Sequence, residues 1–87
     1  MNMNEKNPNA DIVILVNGQE RTVNKGDISY EELVQIAFDE YVEAPEVAYT
    51  ILFFKGQSGK PKGELVKGET VKVHKGMVFN VTRTDRS

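Results

Sequence analysis

The 87 residues contain no cysteine and a single histidine, His74. The first absence removes a disulfide framework, a thiol nucleophile and any zinc site built on thiolates. One imidazole gives a metal little to hold, so neither a metal nor a cofactor is expected. Long apolar runs are missing as well: the longest, Ile12 to Val16, is far too short to span a bilayer. The opening MNMNEKNPNAD has no hydrophobic stretch of the kind a signal peptide needs. A cytoplasmic location without a membrane partner is therefore expected. The net charge is −2, which gives no general attraction to nucleic acid, whose binding depends on clustered bases that neutralise phosphates.

What is present suits one small domain, with 39% hydrophobic and 28% charged residues. Charge is unevenly spread. Asp27, Glu31, Glu32, Asp39, Glu40, Glu43 and Glu46 fall in a stretch without Lys or Arg, whereas Lys55, Lys60, Lys62, Lys67, Lys72, Lys75, Arg83 and Arg86 dominate the remainder of the chain. One acidic and one basic pole are expected, either as solvated surface or as docking surfaces for a protein partner.

Residues 1–10, rich in Asn and with little to bury, read as a disordered arm, and the domain proper as 11–87. DIVILVNGQERTVN then gives two β-rich runs around Asn17-Gly18, the pair suited to the two positive-φ positions of a tight hairpin. Both parities of the first run are apolar: Ile12, Ile14 and Val16 on one face, Val13 and Leu15 on the other. From Ser29 the period changes to 3.6. Ser29 and Glu32 form a capping-box pattern, Glu31 and Glu32 suit the first turn, and Tyr30, Leu33, Val34, Ala37, Phe38 and Tyr41 make an apolar stripe. A helix over about 30–42 is predicted, ended before Pro45.

VAYTILFF (47–54) reads as a long strand, 64–66 and 70–73 as short ones, and 77–84 as a closing strand that runs almost into the carboxyl terminus. So short a chain leaves few packings. The helix stripe should cover one face of a single mixed sheet, with the last strand parallel to the first at its centre. The expected core is Ile12, Ile14, Val16, Val23, Leu33, Ala37, Ile51, Phe53, Val71, Phe79 and Val81.

Catalytic motifs are not present in usable form. GQSGK (56–60) has too few residues between its glycines for a phosphate loop, no Ser or Thr after the lysine, and Pro61 with strand-like sequence where a helix is needed. His74, in VHKG, reads as part of an exposed turn. Adjacent carboxylates such as Glu31-Glu32 and Asp39-Glu40 do not face each other on a helix, so they suit a solvated face better than acid–base catalysis. No enzyme is expected.

The element order, with ILVNGQERTV, ISYEELVQIAF, KGQSGKPKGELVKGETVKV and GMVFNVTRTDRS, resembles the bacterial multiubiquitin domains over roughly residues 11–87. The resemblance implies an α+β ubiquitin-like β-grasp roll: a mixed four- to five-stranded sheet with one helix packed across it. It also implies a protein modifier whose terminal carboxylate is adenylated by an activating enzyme, passed to a conjugating enzyme, joined to target proteins and removed by an isopeptidase-like protease. On that reading Ser87 carries the reacting carboxylate. Asp85 and Arg86 are read by the activating enzyme, and Arg83 and Thr84 form the extended lead into its cleft. A tail from about residue 83 would reach about 16 Å when extended.

Two departures bear on this. Ubiquitin closes with paired glycines where this chain closes Asp85-Arg86-Ser87, which also weakens a sulfur-carrier role, and the family name implies tandem copies where this chain has one. The alternative is a non-covalent protein-interaction module that docks partners on the outer sheet face through Val13, Leu15 and outward residues of 47–54.

Overall fold

The computed structural model describes residues 11–85. The expected disordered arm, residues 1–10, lies outside the described residues, as do Arg86 and Ser87.

β1 (Asp11–Val16) and β2 (Gln19–Asn24) form an antiparallel hairpin. Its turn places Asn17 at φ 52° and Gly18 at φ 82°, the left-handed pair that a primed turn requires. Next comes β3 (Asp27–Ser29), which the sequence does not announce. Three residues with one apolar side chain, Ile28, are too few to register as alternation, and Ser29 serves also as the helix cap.

The helix α1 (Tyr30–Phe38) starts at the predicted capping box. The Ser29 hydroxyl accepts from the Glu32 N–H at 3.1 Å, and the Glu32 carboxylate accepts from the Ser29 N–H at 3.0 Å. It ends four residues earlier than the predicted residue 42. Asp39 turns left-handed at φ 64° and donates its N–H to the Gln35 carbonyl, which stops the ladder.

β4 (Val47–Phe54), β5 (Gly63–Leu65), β6 (Thr70–Lys72) and β7 (Val78–Asp85) complete the chain. The main sheet has the order β2-β1-β7-β4-β5. β7 is central. It runs parallel to β1, with Leu15 opposite Val78 and Val16 opposite Phe79, and antiparallel to β4 from Val47↔Asp85 to Phe54↔Val78. The expected single sheet needs correction, because β3 and β6 pair antiparallel in a separate two-stranded sheet. One helix across a mixed five-stranded sheet is otherwise the α+β, ubiquitin-like β-grasp arrangement that the resemblance implies.

Ile14, Leu33, Val34, Ile51, Met77 and Phe79 are fully buried, with Val16, Phe53 and Val81 nearly so. Four expected core residues, Ile12, Val23, Ala37 and Val71, are only partly buried. Ile12 and Val23 face each other near the open end of the hairpin, Ala37 lies in the last turn of the shortened helix, and Val71 belongs to the small second sheet. Ile28, Tyr49, Leu65, Val73 and Met77 are buried instead, several of them contributed by short elements and turns.

Tyr41, outside the shortened helix, still joins the core from the loop. Its ring stacks on Tyr49 at 5.7 Å between centroids and meets Tyr30 edge-on at 6.1 Å. The Tyr30 hydroxyl donates to the Tyr49 carbonyl at 3.2 Å, and the Tyr49 hydroxyl accepts from the Val42 N–H at 3.1 Å. The aromatic cluster thereby fastens the 39–46 loop to the sheet.

Burial raises the Tyr30 pKa above its ordinary 10.0, with the neighbouring Tyr41 adding to the effect. The folded value exceeds the unfolded one, so the contribution of the neutral phenol is complete below pH 10.0 and lost as pH rises through the folded value. Tyr30→Phe should cost about 1 kcal/mol at neutral pH for the lost hydrogen bond. It should also make the alkaline decline in stability shallower than in the wild type, as read by urea unfolding across that range.

Candidate functional site

β7 places the candidate tail. Arg83 is half-buried opposite Tyr49, while Thr84 and Asp85 are exposed opposite Ala48 and Val47. The tail expected from about residue 83 therefore starts later: Arg83, Thr84 and Asp85 are paired strand residues. Arg83 is also held by its side chain. Its Nε donates to Asp85 Oδ1 at 2.8 Å and its Nη1 to Glu40 Oε2 at 3.3 Å. The hydrogen bond to Asp85 is the main influence that raises the Arg83 pKa. Asp85, expected to offer its carboxylate to an enzyme, already uses one oxygen within the chain. Arg86 and Ser87 lie outside the described residues.

The same region modifies the expected acidic and basic poles. Glu40 receives Arg83, and Glu43 pairs with Lys67, whose pKa is raised chiefly by that hydrogen bond. Two basic side chains thus lie against the acidic 39–46 loop instead of on an opposite pole. Exposed pairs of this kind add little to stability, but they fix where the loop and the strand end sit.

Val13 and Leu15 do lie on the outer sheet face. Val13 is 42% exposed and Leu15 half-buried. The registers Leu15↔Val78 and Val78↔Phe54 put three apolar side chains in one row across β1, β7 and β4. Val13 adjoins the row on β1 and Leu52, 39% exposed, on β4. This patch sits at the start of β7 and the candidate tail at its end. From Val78 to Asp85 the strand advances seven positions, about 23 Å.

Elsewhere the chemistry stays thin. Gly56 to Lys60 forms a tight loop closed by the Gly56 N–H to the Pro61 carbonyl at 2.7 Å, and it feeds strand β5, not a helix. His74 is half-buried, not in an exposed turn, and its Nε2 has no hydrogen-bond partner among the described residues. Among the described residues no three His, Asp or Glu side chains gather as a metal set, and no helix is long and apolar enough to cross a membrane.

One contact that sequence reasoning missed joins the hairpin turn to the last strand. Asn17 Oδ1 accepts from the Val81 N–H at 2.8 Å, and its Nδ2 donates to the Val81 carbonyl at 3.1 Å. Asn17-Gly18 signals the turn; nothing local signals a partner 64 positions away.

The sheet order, the helix across it and the central last strand define a ubiquitin-like domain. The family model for multiubiquitin matches residues 12–85, and the chain belongs to that family. No curated protein and no solved structure matches it.

Proposed function

We propose that this domain is a ubiquitin-like protein modifier of a bacterial, cytoplasmic ubiquitination-like pathway, joined to target proteins through the carboxylate of Ser87. The observation that carries the reading is the position of β7 within a domain of the multiubiquitin family. This strand is central, held by β1 on one side and β4 on the other, and its last paired residue is Asp85.

The chemistry is acyl transfer. The carboxylate attacks the α-phosphorus of ATP and releases pyrophosphate; an enzyme thiolate displaces AMP from the acyl-adenylate; a target amine or hydroxyl then displaces the thiolate. An isopeptidase-like protease reverses the last bond with water. The domain supplies no catalytic group, only an acyl donor and surfaces by which the activating and conjugating enzymes hold it.

Arg83 to Asp85 are paired to β4 and are not free to extend as they stand. The activating enzyme must therefore meet the sheet edge closely or peel the end of β7 from Val47 to Tyr49. The outer apolar patch, about 23 Å away along β7, is left for docking while the end reacts. Incubation with the cognate activating enzyme, ATP and magnesium should yield an adenylate at Ser87 detectable by mass spectrometry. No adenylate with an enzyme shown to be competent would overturn the proposal.

The Leu15–Val78–Phe54 row supports a second reading, a non-covalent interaction module. Val13→Asp with Leu15→Asp would abolish partner binding on that reading while removal of Ser87 left it unchanged.

A further inference from the structure

We infer that Asn17 is a deamidation site gated by the last strand, and that its amide is the final rung tying that strand to β1. The backbone ladder between β1 and β7 runs through the Leu15 N–H to the Met77 carbonyl and the Asn17 N–H to the Phe79 carbonyl, each at 2.9 Å. At the next step β1 has turned away into the hairpin at Gly18. The side-chain amide of Asn17 takes the place of the missing peptide group, meeting both the N–H and the carbonyl of Val81. Beyond Val81, β7 is paired to β4 alone among the described residues.

Asn17 precedes Gly18, which has no side chain to hinder attack by its own backbone nitrogen. In that reaction the Gly18 nitrogen bonds to Asn17 Cγ, gives up its proton and expels Nδ2 as ammonia, forming a succinimide. Water then opens the ring to aspartate or to isoaspartate, which inserts a methylene into the main chain. In the folded protein the amide is held toward β7 at both its oxygen and its nitrogen, so Cγ cannot swing onto Gly18 until both bonds break. Once the reaction has occurred the rung is lost. An aspartate at this position sets a carboxylate oxygen against the Val81 carbonyl, and isoaspartate displaces the group altogether. Val81 then loses its tie to the β1 side and is held by β4 alone, like the rest of β7 that follows it. The inference does not depend on the fate of the Ser87 carboxylate.

The test ages the full chain at neutral pH, with and without denaturing urea, and follows ammonia loss at Asn17 by peptide mass spectrometry. Reaction in the native protein should be at least about tenfold slower than in urea, because two hydrogen bonds must open first. Asn17→Gly keeps the left-handed turn but removes the amide, and should speed hydrogen exchange at the Val81 N–H about tenfold while amides within β4 hold their protection. Equal ammonia loss in both conditions overturns the inference. So does a Val81 exchange rate unchanged by Asn17→Gly. The first measurement needs no variant, so it decides even if Asn17→Gly fails to fold.

Discussion

Phe79→Ala should lower the stability of the domain by about 3–5 kcal/mol. Phe79 is fully buried near the start of the central strand, with Val16 beside it on β1 and Phe53 across from it on β4, the two rings 6.5 Å apart. Rigid strands flank it on both sides, so the emptied space cannot collapse easily, and cavity cost adds to lost transfer energy. Against a total stability of about 5–15 kcal/mol for a domain, such a loss leaves a large fraction unfolded or nearly so. Equilibrium unfolding in urea measures it. A loss under about 1 kcal/mol would mean that Phe79 does not pack as described, since single substitutions away from such sites change stability by only about 0.5 kcal/mol.

The largest functional effect should come from the chain end. Deleting Arg86 and Ser87, or adding one residue after Ser87, should leave melting nearly unchanged, because β7 ends at Asp85. Yet the deletion withdraws the carboxylate by about 7 Å and the addition pushes it out by about 3.5 Å. Misplacement of a reacting group by 1 Å can reduce a rate about a hundredfold, so either change should abolish detectable transfer by a cognate activating enzyme. Urea unfolding run on the same samples separates this from misfolding. Unimpaired transfer from both variants would remove the modifier reading and move the non-covalent module, with its patch at Leu15, Val78 and Phe54, to first place.

Much of this architecture is legible in the chain. Asn17-Gly18 announces its turn, the Ser29–Glu32 box marks the helix start, and the aromatic and β-branched run Val47 to Phe54 gives a strand with Ile51 and Phe53 inward. These signals are local and strong, which is why they can be read without tertiary context. What cannot be read is set by contacts distant in sequence. The helix ends at Phe38 because Asp39 turns left-handed, although the apolar stripe continues through Tyr41, which packs from the loop. β3 exists because β6 pairs with it, not because Asp27 to Ser29 has a pattern of its own. The candidate site divides in the same way. Val13 and Leu15 follow from strand parity, but Glu40 and Asp85 on Arg83, and Asn17 on Val81, require the folded sheet.

The central claim is that a bond is made at Ser87, and the bond itself can be observed. Trypsin cleaves after arginine, so digestion of conjugates formed by the cognate enzymes should cut after Arg86 and leave a single seryl residue on the acceptor side chain of the target. The account predicts that remnant on lysine, or on a hydroxyl, in target peptides, and predicts its disappearance when ATP is withheld. Target peptides without a seryl remnant, or joined through any residue other than Ser87, would contradict it.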